Sequence, residues 1–265
     1  TRTLGWDACG GYHYTDSSII GFSHTHLSGT GISDLGDFLF MPFSGTPKTV
    51  AGTPENPDSG YRSRFNHDEE SAEPGYYSVQ LKDYNIQAEF TASTRAGFHR
   101  YTYNSIEQTG LIIDLSHTIY PDNNPNHEFR VISDTEIEGY KGSGGWAADQ
   151  QAFFYAKFNK AFKVEFYDNG EKIESTKEAK SKNLLAVLTF NTDDDNELLA
   201  KVGISAVDYE GAKNNLETEI TNWDFDKIKK SANQLWAKEL NKINIEGGST
   251  DEKTIFYTSL YHTSI

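Results

Sequence analysis

The chain has 265 residues, 39 acidic against 24 basic side chains, a net charge of −15, and a hydrophobic share of 36%. That balance excludes a surface built for phosphate backbones, which needs clustered Lys and Arg, and it argues equally against an anionic membrane surface. Fifteen Tyr and sixteen Phe favour strands over helices and suit stacking on sugar rings or bases. One cysteine, Cys9, rules out an internal disulfide, and no apolar run approaches the length of a membrane span.

The first 45 residues are rich in Gly, Ser, Thr, His and aromatics. Trp6 stands in a polar, Gly-rich setting beside Tyr12, and it reads as an exposed stacking platform. The stretch Ile20–Gly31 combines His24 and His26 with the hydroxyls of Thr25, Ser28 and Thr30 and with three glycines. Imidazoles and hydroxyls both donate and accept, so this stretch reads as the wall of a polar pocket. On a strand, His24 and His26 would point to one side, as two ligands of one metal would. They would equally serve as histidines bonded to loop carbonyls and carboxylates, or touch a polyhydroxylated ligand directly; the last reading is preferred. Phe38–Met41 reads as a buried strand ended by Pro42. The proline-rich, charged stretch 46–73 reads as a solvated loop.

From Gly75 to about Ser205 the pattern is β. Period-2 alternation marks 77–81, 86–91 and 99–103, and apolar runs mark 110–115, 184–190 and 198–204. Asp168-Asn169-Gly170 predicts a hairpin between 164–167 and 171–173. Trp146, after Gly144-Gly145, reads as packing, as do Trp223 and Trp236. Asp193-Asp194-Asp195 with Glu197 reads as a solvated turn, because it lacks the glycine of a calcium loop. After Asp208 the period becomes helical: Ala212, Leu216 and Ile220 are four apart, a second helix spans about 224–243, and a third begins near Asp251. Many strands with short turns and no alternating helices predict an antiparallel β-sandwich followed by helices. No nucleophile elbow, phosphate loop or His-Glu-x-x-His motif is present.

The run Gly21-Phe22-Ser23-His24-Thr25-His26-Leu27-Ser28-Gly29-Thr30-Gly31, followed by Asp34-Leu35-Gly36-Asp37 and Met41-Pro42, resembles the glycoside hydrolase family 92 α-mannosidases. Leu4-Gly5-Trp6-Asp7, Glu73-Pro74-Gly75-Tyr76-Tyr77, Gly97-Phe98-His99-Arg100-Tyr101, Gly144-Gly145-Trp146 and Phe256–His262 extend the likeness over nearly the whole chain. The resemblance implies a large antiparallel β-sandwich joined by helices to an (α/α)6 barrel, and an exo-acting, inverting, calcium-dependent activity. On that expectation residues 1–207 are the sandwich, cut at its start, 208–246 a helical linker, and 247–265 the beginning of a truncated catalytic domain.

An inverting glycosidase needs two carboxyl groups roughly 6.5–9.5 Å apart. The resemblance puts both, and most calcium ligands, in the barrel, so no catalytic residue and no metal ligand is nominated here. The substrate-binding candidates are Trp6, Tyr12, His24, Thr25, His26, Ser28 and Thr30, with Trp6 implied as an aromatic wall for the leaving sugar. The expected partners are mannose-containing glycans, with terminal α-1,2 linkages favoured, and the C-terminal catalytic domain of the same polypeptide. The expected location is the periplasm, the cell surface or the medium of a bacterium. The alternatives are a stand-alone carbohydrate-binding sandwich and a metallohydrolase built on His24 and His26.

Overall fold

Residues 109–114 and 184–190 are near-continuous apolar runs, and such strands are stable only with both faces covered. The computed structural model describes residues 11–27, 34–105, 107–119, 122, 125–145, 147–192 and 195–265, and it pairs these two runs inside a five-stranded sheet. The strands are β1 (Ser18–Ile19), β2 (Leu39–Ser44), β3 (Ser63–Arg64), β4 (Glu70–Glu73), β5 (Tyr76–Leu81), β6 (Ile86–Ala92), β7 (Ala96–Tyr103) and β8 (Thr109–Asp114). They continue as β9 (Asn126–Val131), β10 (Glu136–Ser143), β11 (Gln150–Phe158), β12 (Phe162–Asp168), β13 (Glu171–Ile173), β14 (Glu178–Ser181), β15 (Leu184–Phe190) and β16 (Glu197–Ser205). The helices α1 (Tyr209–Glu219), α2 (Phe225–Leu240) and α3 (Thr250–His262) follow.

A nine-stranded sheet, β14-β9-β10-β11-β16-β7-β6-β5-β4, packs on the five-stranded sheet β13-β12-β15-β8-β2. Alternate residues of β7, β11 and β16, among them Tyr101, Phe154 and Val202, meet Phe40, Leu111 and Leu188 in one core. The predicted sandwich is therefore present, and β12 and β13 form the predicted hairpin.

Two expectations fail. Pro42 does not end its strand; it lies inside β2, opposite Leu111. The outer edge of β2 explains this. Phe40 exchanges both backbone bonds, each 2.9 Å, with Phe22 on that side, so two residues on the missing N–H of Pro42 also faces outward and the ladder to β8 loses nothing. Nor is 46–73 a solvated excursion. Tyr61 and Phe65 are buried in the core, the Tyr61 hydroxyl donates to Asp114 at 2.6 Å, and the segment contributes β3 and β4. Its prolines hid two aromatic anchors.

The other face of the nine-stranded sheet is also covered. Phe98, Phe153, Tyr155 and Leu199 pack against Ala212, Leu216, Ile220 and Phe225 of α1, α2 and their junction. Asp208 and Asp224 cap α1 and α2 by accepting from the N–H of Gly211 and Lys227. Ser249 and Glu252 form a capping box on α3. Lys201 rises from β16 to donate to the Ile220 carbonyl at 3.1 Å, under the Trp223 ring. Leu235 and Ile243 are exposed. The buried positions of α2 are Phe225 and Ala232.

One ion pair joins the two sheets. Lys141 on β10 and Asp37, just before β2, meet at 3.0 Å with side chains only 1% and 5% exposed. The Lys141 ammonium also donates to the His117 carbonyl. The other oxygen of Asp37 accepts from Thr25 Oγ1 at 2.7 Å, and Thr25 Oγ1 accepts from the Asp37 N–H at 2.9 Å. Leu35 and Phe38 on either side hold left-handed backbone, φ 63° and 56°. Such bulky residues stay there only where their surroundings leave no alternative.

Truncating Lys141 to Ala strands a buried carboxylate and is expected to remove about 3–5 kcal/mol in urea unfolding. Lys160→Ala, which breaks a pair with the exposed Asp195, should cost less than about 1 kcal/mol. Equal losses would mean that Asp37 is not buried as described. A Cβ on Gly203 would lie 2.2 Å from the Ala212 carbonyl oxygen and 2.8 Å from Leu216 Cβ. Gly203→Ala should therefore push α1 off the sheet and lose about 1–3 kcal/mol by the same measurement.

Burial holds the imidazoles of His24, His117 and His127 down to about 4, and that of His99 well below its usual range. All four are neutral in the fold and take up protons near pH 6.5 once unfolded. Stability is then full above about pH 6.5 and falls toward pH 4, with a slope approaching ~1.4 kcal/mol per pH unit for each histidine. His67, raised by its hydrogen bond to Glu70, opposes the four. A melting temperature that stays level from pH 7 to 4.5 would contradict this.

Candidate functional site

The segment from Ile20 to Leu27 leaves β1 and runs along the outer edge of β2. The Phe22–Phe40 bridge and a 2.9 Å bond from the His24 N–H to the Asp37 carbonyl fix its register. Gly21 starts the run at φ 151°, where a Cβ would lie 2.7 Å from Leu39 Cγ. Phe22 and His24 then turn to one side. Phe22 meets Phe90 at 4.2 Å between ring centroids, and His24 stacks on His99 at 5.0 Å with Phe40 edge-on at 4.7 Å.

These residues form one wall of a cleft of about 670 Å³. Tyr12, Tyr76, Tyr77 and Phe90 line other parts, and α3 brings Tyr261 to it. The volume and the aromatic lining, with a few convergent polar groups, suit a small polar ligand. A second cavity of about 720 Å³ lies against Thr25, Asp37, Arg95 and Asn215.

The two histidines play different parts. His24 Nδ1 lies 2.7 Å from the Phe38 carbonyl oxygen, which can only accept, so Nδ1 carries the proton. With the ring neutral, Nε2 is a bare acceptor, buried and without a partner among the described residues. His26 is exposed, and its Nδ1 donates to the Leu27 carbonyl at 3.1 Å. Both rings line the cleft and both bond loop carbonyls. Among the described residues no group of three or more His, Cys, Asp or Glu stands ready for a metal ion.

Thr25 spends its hydroxyl on Asp37 and so supports the loop. Tyr12 is 49% exposed and donates to Glu70 Oε1 at 2.9 Å. Trp6, Ser28 and Thr30 lie outside the described residues, as do Cys9, Trp146, Asp193 and Asp194. Asp195 is exposed and bound to Lys160, in line with a solvated turn.

Sequence reasoning missed Glu70, which holds two tyrosines of the cleft. It accepts from Tyr12, from Tyr77 at 2.8 Å and from His67 at 2.5 Å. No local signal distinguishes it within a charged stretch. It also missed His99 as the partner of His24, though the period-2 pattern of β7 puts His99 on the same face as Tyr101. The carboxylates near the cleft are engaged: Glu70 by three donors, and Glu73 by Asn233 at 3.1 Å with Lys229 at 3.9 Å.

The family model for the glycosyl hydrolase family 92 N-terminal domain matches residues 1–205, and that for the family 92 catalytic domain matches residues 211–265. A solved structure of the family GH92 alpha-mannosidase BT3965 from Bacteroides thetaiotaomicron is 39% identical, with a TM-score of 0.94, over 100% of this chain and 37% of its own. The gh92 family glycosyl hydrolase ccman5 is 27% identical, with a TM-score of 0.82, over 95% of this chain and 35% of its own. An uncharacterized secreted glycosidase from the fungus Arthroderma benhamiae is 24% identical over 97% of this chain and 36% of its own length. The chain thus spans about a third of the length of these relatives. With the sandwich, the capped helices and the aromatic cleft in place, the matches leave one conclusion: this chain belongs to glycosyl hydrolase family 92.

Proposed function

We propose that this chain is the sandwich part of an exo-α-mannosidase, and that its cleft binds part of a mannose-containing glycan. The observation that carries the reading is 39% identity, across the whole of this chain, to a protein described as an α-mannosidase. The catalytic-domain match to residues 211–265 supports an enzyme over a stand-alone binding module.

In this reading the chain's own residues orient the sugar. The exposed His26 ring and the tyrosines of the cleft offer donors, acceptors and aromatic faces, while Thr25 and Asp37 keep the wall in register. Proton transfer falls to carboxyl groups elsewhere in the polypeptide, since Glu70 and Glu73 are already held by donors. Inversion, calcium dependence and a preference for α-1,2 linkages are part of the proposal, as is a calcium site built outside the described residues. A secreted relative and the absence, among the described residues, of a helix long and apolar enough to cross a membrane support a periplasmic, cell-surface or secreted location.

The test is the full-length protein on α-1,2, α-1,3, α-1,4 and α-1,6 mannobiosides, followed by proton NMR. Mannose should appear first as the β anomer and fastest from the α-1,2 substrate, and a calcium chelator should abolish the rate. Residues 1–265 alone should release none. The α anomer as first product would overturn inversion, and no mannose from any linkage would overturn the reading itself.

A further inference from the structure

Tyr12, which lines the cleft, shares Glu70 with His67, and His67 carries an aromatic neighbour, Tyr14, that lies outside the sandwich core. Tyr14 is 69% exposed, yet its ring lies flat on His67, with centroids 4.1 Å apart and planes 13° apart. His67 in turn meets the buried Phe65 edge-on at 5.2 Å and hydrogen-bonds Glu70. Tyr14 is therefore held from one side and bare on the other.

Tyr12, two residues earlier, is tied through its hydroxyl to the same carboxylate. The Glu70 side chain is only 11% exposed. Three donors offset the cost of burying its charge and fix the positions of His67, Tyr12 and Tyr77. This occurs on β4, the outermost strand of its sheet. A carboxylate there could remain in water without harm to the core. Its burial instead yields two tyrosines held beforehand in place, which lowers the entropy lost when a ligand stacks on them.

The chemistry presented is an aromatic face and phenolic oxygens. Tyr12 donates to Glu70, so its oxygen keeps lone pairs for an incoming hydroxyl. A pyranose offers the complement, an apolar C–H face rimmed by hydroxyl donors, and the net charge of −15 favours a neutral ligand.

We propose that Tyr14 and Tyr12 form an outer sugar platform, which holds a non-reacting hexopyranose of an extended neutral glycan while another of its sugars lies along the His24–His26 wall. This rests on the glycan-cleaving function proposed above.

The experiment uses full-length protein and calorimetric titration with hydrolysis-resistant, sulfur-linked α-mannobiose and α-mannotetraose. Wild type should bind the tetraose more tightly than the biose. Tyr14→Ala should weaken the tetraose roughly three- to tenfold and leave the biose unchanged. Tyr14→Phe, which keeps the ring, should restore the affinity. Equal weakening of both ligands, or none, overturns the platform, as does a wild type that binds neither. Hydrolysis of mannobiosides without any gain from chain length overturns it while leaving the proposed activity standing. Length-selective binding without hydrolysis does the reverse.

Discussion

A charge pair between two sheets governs the geometry of this molecule. Asp37 and Lys141 come from opposite layers of the sandwich and are almost wholly removed from water. Lone charges cannot stay there, so each requires the other. Asp37 also receives the Thr25 hydroxyl and the His24 N–H, so the pair fixes the cleft wall as well as the layers. Left-handed backbone at Leu35 and Phe38, about 1–3 kcal/mol of strain each, is tolerated because this network determines it. The polar wall is thus an outgrowth of the core and shares its rigidity.

The nine-stranded sheet acts as a partition. One face closes the sandwich core, and the other seats α1 and α2 at van der Waals distance, close enough at Gly203 to exclude a methyl group. Arg100 shows how tightly the helix side is coupled: it lies over the Phe225 ring at 4.3 Å while pairing with Glu89 and Asp226. The helices therefore take their orientation from the sheet. Through Trp236, whose ring meets Tyr261 at 4.7 Å, α2 positions the helix that reaches the cleft. Sandwich and helices share in one surface.

Much of the fold could be read from sequence because it follows from local periodicity. The alternation in β5–β7, the apolar runs of β8 and β15, the Asn169-Gly170 hairpin and the four-residue spacing of Ala212, Leu216 and Ile220 are written within a few residues of where they act. The misreadings concern positions whose meaning lies far along the chain. Pro42 looks like a terminator until Phe22, by pairing with Phe40, shows that the missing N–H lies on the outer edge of the strand. Tyr61 and Phe65 look solvated among prolines and charges until Asp114 and the core receive them. In the candidate site the His24–His26 stretch stood out by composition, but its division of labour did not. Which ring turns inward depends on the Phe38 carbonyl and on His99, and the role of Glu70 depends on tyrosines at 12 and 77. Side-chain pairing across distant segments leaves no trace in spacing.

The Phe22–Phe40 bridge and Pro42 have a further meaning for how copies of the molecule meet. The five-stranded sheet would otherwise expose the hydrophobic edge Leu39-Phe40-Met41-Pro42-Phe43, buried along its side chains but open along its backbone. An open edge of that kind recruits strands from other molecules. Here one part of it is taken by the cleft-forming segment, and the next outward position lacks a donor altogether. The far edge of the larger sheet, β4, reads Glu-Ser-Ala-Glu and repels a like strand by charge. The segment that shapes the ligand wall thereby also stops the sheet from growing into a neighbour, so lengthening or loosening it would put solubility as well as recognition at risk.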